Sequence, residues 1–309
     1  MIEVLDVQSR ATLQDLGRFG LRKFGISHCG AMDKLALQAG NLLLGNAPNS
    51  PAIEVPLGGI TVKFHQDMNF CVTGAFYDME LDGEPVYAYW RNQARAGQIL
   101  KMHRAKIGMY GYLCVQGGFA VTPELNSCST DVRAQIGGIE GRYLQAGDEL
   151  KTHANGVLLS PLGIAPIPLK STIYALPSSE YHAFKRKSQY SWWRKKWTLL
   201  SNSDRMGYRF QGEALELKKP LEMLSHGIQF GSVQVPPSGQ PIILMADAQT
   251  TGGYPKIANV IDADLGSLAQ VRLGSTINFE AVTLEQAAKL RRKNAVYLNQ
   301  IRRIVNETN

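Results

Sequence analysis

The sequence predicts a mainly-β protein built from barrels, with a few peripheral helices. Residues 60–64 alternate apolar and polar side chains, which is the period of a half-buried strand. The 30 glycines are spread along the chain, and this suits many turns between short strands. A glycine turn feeding a strand recurs at residues 95–100, 145–150 and 272–277. That repeat favours barrels over alternating strands and helices.

Further strands are predicted beside clear turn signals. Asp82-Gly83 separates residues 79–81 from 86–90, and this indicates a hairpin because both turn positions tolerate positive φ. Residues 112–115 and 242–245 are apolar runs predicted as buried strands.

Three helices are predicted. Asp33 can cap a helix that stops before Gly45. A second begins near residues 178–179, and Thr283 with Gln286 forms a capping box for the third. The third helix carries an apolar stripe at helical spacing: Ala287, Leu290, Tyr297, Leu298, Ile301 and Ile304.

A proline-rich stretch at residues 160–170 is the best candidate for a linker. It predicts an N-terminal domain at 1–165 and a C-terminal domain with the third helix at 166–309.

Soon after the linker, Trp192, Trp193 and Trp197 stand among basic residues. Such a cluster either packs a loop against a barrel or stacks on the base of a ligand.

Composition excludes several classes of protein. Apolar residues make up 44% and charged residues 19%, so disorder is not expected. The net charge of +7 is spread over short runs without a nucleic-acid-binding pattern, so no nucleic acid is expected. No run approaches a membrane span, the N-terminus lacks signal-peptide features, and no CxxC pair occurs. These features predict a cytoplasmic protein with reduced thiols and no membrane association.

The segment from Gln14 to Gly20 is the first candidate for a site. Its Arg18 stands between two glycines and could hold a carboxylate or phosphate through two hydrogen bonds. A surface turn with an Asp15–Arg18 pair explains the same residues.

In the next segment, His28-Cys29 suggests a thiol nucleophile, but neighbours on a strand point to opposite faces. Asp33 is explained more simply as a helix cap.

Two further candidates lie in the second half, and the one that begins at Gln234 is the strongest. Arg205 precedes a glycine and an aromatic residue, much as Arg18 does. From Gln234 a proline-rich stretch leads into the strand at 242–245, and a polar loop follows. This loop reads Gln249, Thr250, Thr251, Gly252, Gly253, Tyr254, Pro255 and Lys256. We expect its two glycines to turn successive N–H groups toward an anion, although a hairpin loop solvated by its own polar groups has the same composition.

Several signatures of other chemistries do not occur in the sequence. There is no phosphate loop of the GxxxxGK[ST] type, no GxGxxG, no HExxH and no GxSxG. His103 and His153 lack partners at ligand spacing, so no metal site is predicted.

Together these segments resemble the biotin-dependent carboxyltransferase / allophanate hydrolase subunit 2 family, which includes KipA-like proteins. The resemblance runs over nearly the whole chain. The resemblance rests on residues 14–20, 25–33, 41–46 with Glu54, 128–131, 205–209 and 249–255.

The resemblance implies two cyclophilin-like β-barrels and a partner of related fold. It implies one component of an ATP-dependent 5-oxoprolinase, which opens 5-oxo-L-proline to L-glutamate together with an A subunit and a KipI-like B subunit. Alternatives within the family are carboxyl transfer from carboxybiotin to urea or a similar acceptor, and non-catalytic regulation of a kinase inhibitor. A biotin-carrier motif is missing, so any biotin would arrive on another chain.

From the resemblance and the candidate segments together, we expect ATP, with Mg²⁺, as co-substrate and two groups of site residues. The catalytic group is Arg18, Arg205, Gln249, Thr250 and Thr251. The group binding substrate or phosphate is Asp33, Asn41, Glu54, Gln234, Gly252, Gly253, Tyr254 and Lys256. Loops from both halves are expected to face one pocket that accepts negative charge.

Overall fold

The computed structural model describes residues 1–154 and 156–308, and there the chain is mostly β-strand, as the sequence predicts. The strands are β1 Ile2–Val7, β2 Thr12–Gln14, β3 Ala52–Pro56, β4 Gly58–Phe64, β5 Met68–Leu81, β6 Glu84–Pro85, β7 Asn92–Ala94, β8 Ile99–Val115, β9 Glu149–Leu150, β10 Thr172–Pro177, β11 Trp197–Leu199, β12 Gly207–Gln211, β13 His226–Gly227, β14 Ser232–Gln234, β15 Ile242–Leu244, β16 Thr251–Gly252, β17 Lys256–Val260 and β18 Thr276–Ala281. The α-helices are α1 Lys34–Leu43, α2 Arg186–Arg194, α3 Leu265–Ala269 and α4 Leu284–Thr308.

The chain divides into two compact units. The first consists of Met1–Arg18, Cys29–Pro168 and the residues from Ala295 onward, and the second of Phe19–His28 and Leu169–Asn294. The main division therefore falls inside the proline-rich stretch. Two short pieces depart from the predicted domains, because residues 19–28 join the second unit and the end of α4 joins the first.

The first unit contains a nine-stranded antiparallel sheet whose main path is β2-β3-β8-β4-β1-β9. The strand β5 joins it through β8, and β6 and β7 pair with β5. The sheet forms a half-barrel, whereas the sequence predicts a full one. The strand β4 alternates buried and half-buried residues as expected. At the end of β5, Asp82 and Gly83 have φ of 50° and 86°, so the predicted turn is confirmed. The returning strand is only Glu84–Pro85 and does not extend over residues 86–90.

The second unit contains a closed barrel in the order β10-β17-β14-β15-β12-β11-β18. A parallel pairing of β10 with β18 closes it. Trp192 and Trp197 are fully buried, and the Trp192 ring stacks on Phe279 with centroids 4.2 Å apart. Two of the three clustered tryptophans therefore pack the barrel, as stacked aromatic pairs commonly do.

Two of the three predicted helix starts are confirmed by the structure. Asp33 Oδ1 accepts the Ala36 N–H at 3.1 Å at the start of α1. Before α4, the Thr283 N–H donates to Gln286 Oε1 at 2.8 Å and the Gln286 N–H to Thr283 Oγ1 at 3.2 Å, so the capping box is confirmed. The later half of α4 packs on α1. Ile301 is buried there, but the predicted Ile304 is exposed.

The prediction of a helix from residues 178–179 is wrong. A 3₁₀ turn occupies Tyr181–Ala183, and α2 begins only at Arg186. The backbone is extended between the two, with ψ of 149° at both Phe184 and Lys185, and Phe184 pairs with Leu217. A helix cannot run through these two residues.

Candidate functional site

In the first unit, the buried carboxylate of Asp15 organises the loop around Arg18. It accepts hydrogen bonds from the Gly17 N–H at 2.8 Å and the Cys128 N–H at 2.7 Å. The hydroxyls of Ser127 and Ser129 each donate to it at 2.6 Å. The carboxylate therefore joins two segments more than 100 residues apart. It makes no ion pair with Arg18, so the surface-turn interpretation of this segment is wrong.

Arg18 is 1% exposed, and its guanidinium is only partly satisfied. Nη2 donates to the Ser129 carbonyl at 2.6 Å. Nε and Nη1 are buried and find no acceptor within residues 1–154 and 156–308. A side chain at Gly137 would place Cβ 2.4 Å from Nη2, so a glycine is required beside the guanidinium. Buried donors without acceptors are costly, which makes Arg18 a strong candidate for binding an anion.

Asp33 and Glu54 position the start of α1. Glu54 Oε2 accepts from the Met32 N–H at 2.9 Å and from the Tyr112 hydroxyl at 2.8 Å. The same hydroxyl accepts from the Asp33 N–H at 2.7 Å. Burial, with Glu54 and Asp33 nearby, raises the pKa of Tyr112 well above its ordinary value, so the phenol stays a neutral donor. These contacts brace the loop that precedes the helix.

Asn41 is fully buried and also has structural partners. Its Nδ2 donates to the Ser50 carbonyl at 2.7 Å, and its Oδ1 accepts from Asn46 Nδ2 at 3.1 Å. The amide holds the turn that follows α1, a role that explains its burial without a ligand.

In the second unit, Arg205 forms a two-pronged ion pair with Asp247. Nε donates to Oδ2 at 2.8 Å and Nη2 to Oδ1 at 2.7 Å. The backbone completes the pairing, because the Asp247 N–H donates to the Arg205 carbonyl at 2.9 Å. The charge of Arg205 is thus neutralised by a carboxylate of its own unit, unlike that of Arg18.

Lys256 is held between a carboxylate and an imidazole. Its Nζ lies 2.9 Å from Glu180 Oε2 and also contacts His226 Nε2. His226 Nδ1 lies 3.2 Å from the Leu224 carbonyl, so the neutral ring with hydrogen on Nδ1 satisfies both contacts. Burial would raise the pKa of Glu180, but hydrogen bonds from Ser179 and Lys256 outweigh it and hold that pKa below its ordinary value.

The pair Gly252-Gly253 does not form the expected anion-binding turn. Neither glycine has a left-handed φ, and Gly252 lies in β16, paired with His226 of β13. A side chain at Gly252 would place Cβ 2.5 Å from Gln234 Nε2, so this glycine is needed for close packing. The Gln234 amide nitrogen is itself buried without an acceptor in the described residues, which keeps Gln234 a candidate for ligand binding.

The loop Gln249–Thr251 is held by Arg22, a residue that sequence reasoning missed. Arg22 Nη2 donates to the Ile228 carbonyl and lies 3.4 Å from the Thr250 carbonyl and 3.5 Å from that of Gln249. Burial lowers the pKa of the Arg22 guanidinium from its ordinary value. The clue in the sequence was a cation next to the Arg18 segment, but nothing local indicates acceptors more than 200 residues away.

Tyr254 is 47% exposed and lines a groove of about 720 Å³ in the second unit. The groove brings together residues 235–239 and 253–255, the two parts of the strongest candidate segment, with residues 214–217 and 220–223. Its walls are mainly apolar side chains and prolines. It therefore suits the apolar part of a ligand or partner better than a phosphate.

Each predicted residue belongs to one of the two units. Arg18, Asp33, Asn41 and Glu54 lie in the first, and Arg205, Gln234 and residues 249–256 in the second. That the two groups face one pocket stays a prediction.

All four cysteines are buried thiols, and burial raises the pKa of Cys128 to about 11. In residues 1–154 and 156–308, no cluster of three His, Cys, Asp or Glu side chains is arranged to hold a metal ion. Within the same residues, no helix is both long and apolar enough to cross a membrane.

A half-barrel and a closed barrel, with buried cations and carboxylates in their loops, place this protein in the class of carboxyltransferase-like β proteins. The chain belongs to the family of the carboxyltransferase domain, subdomain A and B, whose model matches residues 24–281. The resemblance that the segments indicate is thereby confirmed.

Two relatives and one solved structure are similar to this chain over nearly its whole length. The chain is 81% identical to the C subunit of the Haemophilus influenzae 5-oxoprolinase over 309 residues, which is all of both chains. It is 47% identical to the C subunit of the Escherichia coli 5-oxoprolinase over 97% of each. A crystal structure of the K. lactis urea amidolyase matches with a TM-score of 0.91 and 25% identity, covering 97% of this chain and 20% of that one.

Proposed function

We propose that this chain is the C subunit of an ATP-dependent 5-oxoprolinase. Acting with the A subunit and a KipI-like B subunit, it would convert 5-oxo-L-proline to L-glutamate as ATP is hydrolysed. Full-length identity of 81% and 47% to relatives that carry this name supports the proposal. The structural observation that carries it is Arg18, a buried guanidinium with two donor nitrogens that lack acceptors in the described residues.

The reaction needs a site that binds anions. A lactam carbonyl is a poor electrophile because its nitrogen donates electrons into it. Transfer of the terminal phosphoryl group of ATP to the carbonyl oxygen, with ADP leaving, would open the carbon to attack by water. The ring C–N bond would then break, and hydrolysis of the resulting acyl phosphate would release phosphate and glutamate. The substrate carboxylate and the phosphoryl group then both require cationic donors, placed before charge develops.

Arg18 is the residue best suited to bind one of these anions. Its unpaired Nε and Nη1 carry N–H groups on different edges of the guanidinium, and an oxygen of a carboxylate or phosphoryl group can accept from either one. Arg205 has a different role in this proposal, since Asp247 already takes two of its donors. It stabilises the loop around Asp247, which lies two residues before Gln249.

The polar loop of the second unit would orient the lactam. Gln249, Thr250 and Thr251 supply amide and hydroxyl groups, and Arg22 holds their backbone. Gln234 contributes an amide N–H that is free to donate. Lys256 adds a cation whose position is set by Glu180 and His226.

ATP is proposed as co-substrate, with Mg²⁺ on its phosphates. Mg²⁺ commonly binds through one or two carboxylates together with phosphate oxygens, and so does not require a dedicated cluster of protein ligands. Asp33, Asn41 and Glu54 would brace the first unit and not contact the reactants, because their hydrogen bonds go to backbone and neighbouring side chains.

The test is ADP release by the assembled subunits with and without 5-oxoproline, comparing Arg18→Gln, Arg18→Lys and an exposed control, Arg10→Gln. We expect 5-oxoproline-dependent release in the wild type and the control, partial activity in Arg18→Lys and a loss of at least ~100-fold in Arg18→Gln. A thermal shift on adding 5-oxoproline, lost in Arg18→Gln, separates failed binding from failed folding. Undiminished turnover in a folded Arg18→Gln complex contradicts the role of Arg18.

Carboxyl transfer is the second candidate, favoured by the match to the urea amidolyase structure. It requires the same kind of anion pocket, with biotin delivered on another chain. Incubating the chain and its partners with a carboxylated biotin carrier and urea would reveal it. Urea-dependent loss of the carboxyl group, without ADP release on 5-oxoproline, would replace the first proposal.

A further inference from the structure

A basic groove with aromatic walls runs along α2 in the second unit, and none of the residues assigned above lines it. Its volume is about 790 Å³. One face of the helix lines it, because Arg186, Gln189, Tyr190, Trp193 and Arg194 follow helical spacing. The remaining lining residues are Tyr181, His182, Lys218, Glu280 and Ala281.

The cations of this groove are not neutralised by neighbours. Around it, Lys185 pairs with Glu216 and Lys187 with Glu213. Arg186, Arg194 and Lys218 make no ion pair within residues 1–154 and 156–308. Glu280 is the one carboxylate among the lining residues, so the groove carries a net positive charge.

The aromatic wall is held in place. Trp193 Nε1 donates to the Tyr181 hydroxyl at 3.0 Å, and the two rings lie 6.2 Å apart. Gln189 Nε2 donates to the carbonyls of Tyr181 at 3.1 Å and Phe184 at 2.9 Å. Tyr190 is 62% exposed and offers its ring to solvent. A planar ligand can stack here with little ordering of the protein.

Two of the three unpaired cations lie at the other end of the helix from Trp193, whereas Arg194 is next to it. Arg186 opens α2, and the Lys218 N–H donates to the Ala183 carbonyl at 2.8 Å, so both cations belong to the N-terminal end. The first turn has no acidic residue and no side-chain cap. Trp193 stands seven residues further on, about 10 Å along the axis. A ligand with phosphates at one end and an aromatic base at the other fits this order.

We propose that the groove along α2 binds a nucleoside phosphate, with the base on Trp193 and Tyr190 and the phosphates at Arg186 and Lys218. The inference rests on the proposed function and deepens it, since that function consumes ATP. It also gives a role to the one clustered tryptophan that does not pack the barrel core.

The test is calorimetric titration of Mg·ADP into the full chain and into the assembled complex. The variants are Arg186→Gln with Lys218→Gln, and Tyr190→Ala, all at exposed positions. Arg291→Gln with Arg292→Gln on α4 removes equal charge elsewhere as the matched control. We expect saturable binding by the wild type and the control, and binding about tenfold weaker in both groove variants. Tripolyphosphate should compete, and adenosine should compete more weakly.

The proposal is overturned if Mg·ADP does not saturate either sample, or if both groove variants bind as the wild type does. Equal weakening in the α4 control, or preference for a single-stranded oligonucleotide over Mg·ADP, also overturns it. These titrations contain no 5-oxoproline. If the groove does not bind Mg·ADP but the complex still releases ADP on addition of 5-oxoproline, only the proposed groove site is wrong. If the groove binds Mg·ADP but the complex lacks that activity, only the proposed function is wrong.

Discussion

Asp15 and Ser129 hold each other through a reciprocal pair of hydrogen bonds across 114 residues of sequence. The Asp15 N–H donates to Ser129 Oγ at 3.0 Å, and that hydroxyl donates to Asp15 Oδ1 at 2.6 Å. The Ser129 carbonyl in turn accepts from Arg18 at 2.6 Å. The position of the Arg18 guanidinium therefore depends on a carboxylate that it does not contact.

Replacing Asp15 by Asn should destabilise the chain by about 3 kcal/mol, because an amide cannot accept all the donors that surround the buried carboxylate. The measurement is urea unfolding. Asp78→Asn is the control, since Asp78 forms an exposed pair with Lys106 and should change stability by less than about 0.5 kcal/mol. Equal losses in the two variants would contradict this account.

Glu180→Gln should lower stability by about 2 kcal/mol at neutral pH, because Lys256 Nζ loses its carboxylate. The pKa of Glu180 is depressed below its ordinary 4.5 in the folded state, so the carboxylate stabilises the fold fully above that pH. The difference between variant and wild type should shrink as pH falls below 4.5. Urea unfolding at a series of pH values measures this difference in the free energy of unfolding. A difference that grows as the pH falls would contradict the role of the Glu180 carboxylate.

Gly252→Ala should destabilise the second unit by about 1–3 kcal/mol, because its Cβ would meet Gln234 Nε2 at 2.5 Å. Gly227→Ala is the matched control on the facing strand, where Cβ meets nothing within 4 Å. Thermal unfolding of both variants gives the comparison. If Gly252→Ala is as stable as Gly227→Ala, close packing is not the reason for this glycine.

Arg22→Gln should loosen the loop around Gln249 and Thr250, because it removes donors to the carbonyls there. We expect amide hydrogen exchange about tenfold faster at residues 249–252. Lys23→Gln lies in the same 3₁₀ turn and should leave exchange unchanged. Faster exchange in both variants would point to a general loosening of residues 19–28.

The sequence by itself determined the features that depend on neighbouring residues. The Asp33 cap, the Thr283–Gln286 capping box and the Asp82-Gly83 turn form as predicted, since each is decided within four residues of chain. The helix predicted from residues 178–179 does not form, because Phe184 and Lys185 are extended and Phe184 pairs with Leu217, a residue outside the local sequence.

Only the tertiary structure decided the partners of the charged side chains. Arg18 and Arg205 occur in similar local sequences, yet Arg205 meets Asp247 while Arg18 keeps donors without acceptors in the described residues. Gly252 looked like part of an anion-binding turn and proved to be a point of close packing. The physical reason is that hydrogen bonds and ion pairs depend on distances of about 3 Å, and folding sets these between residues far apart in the chain.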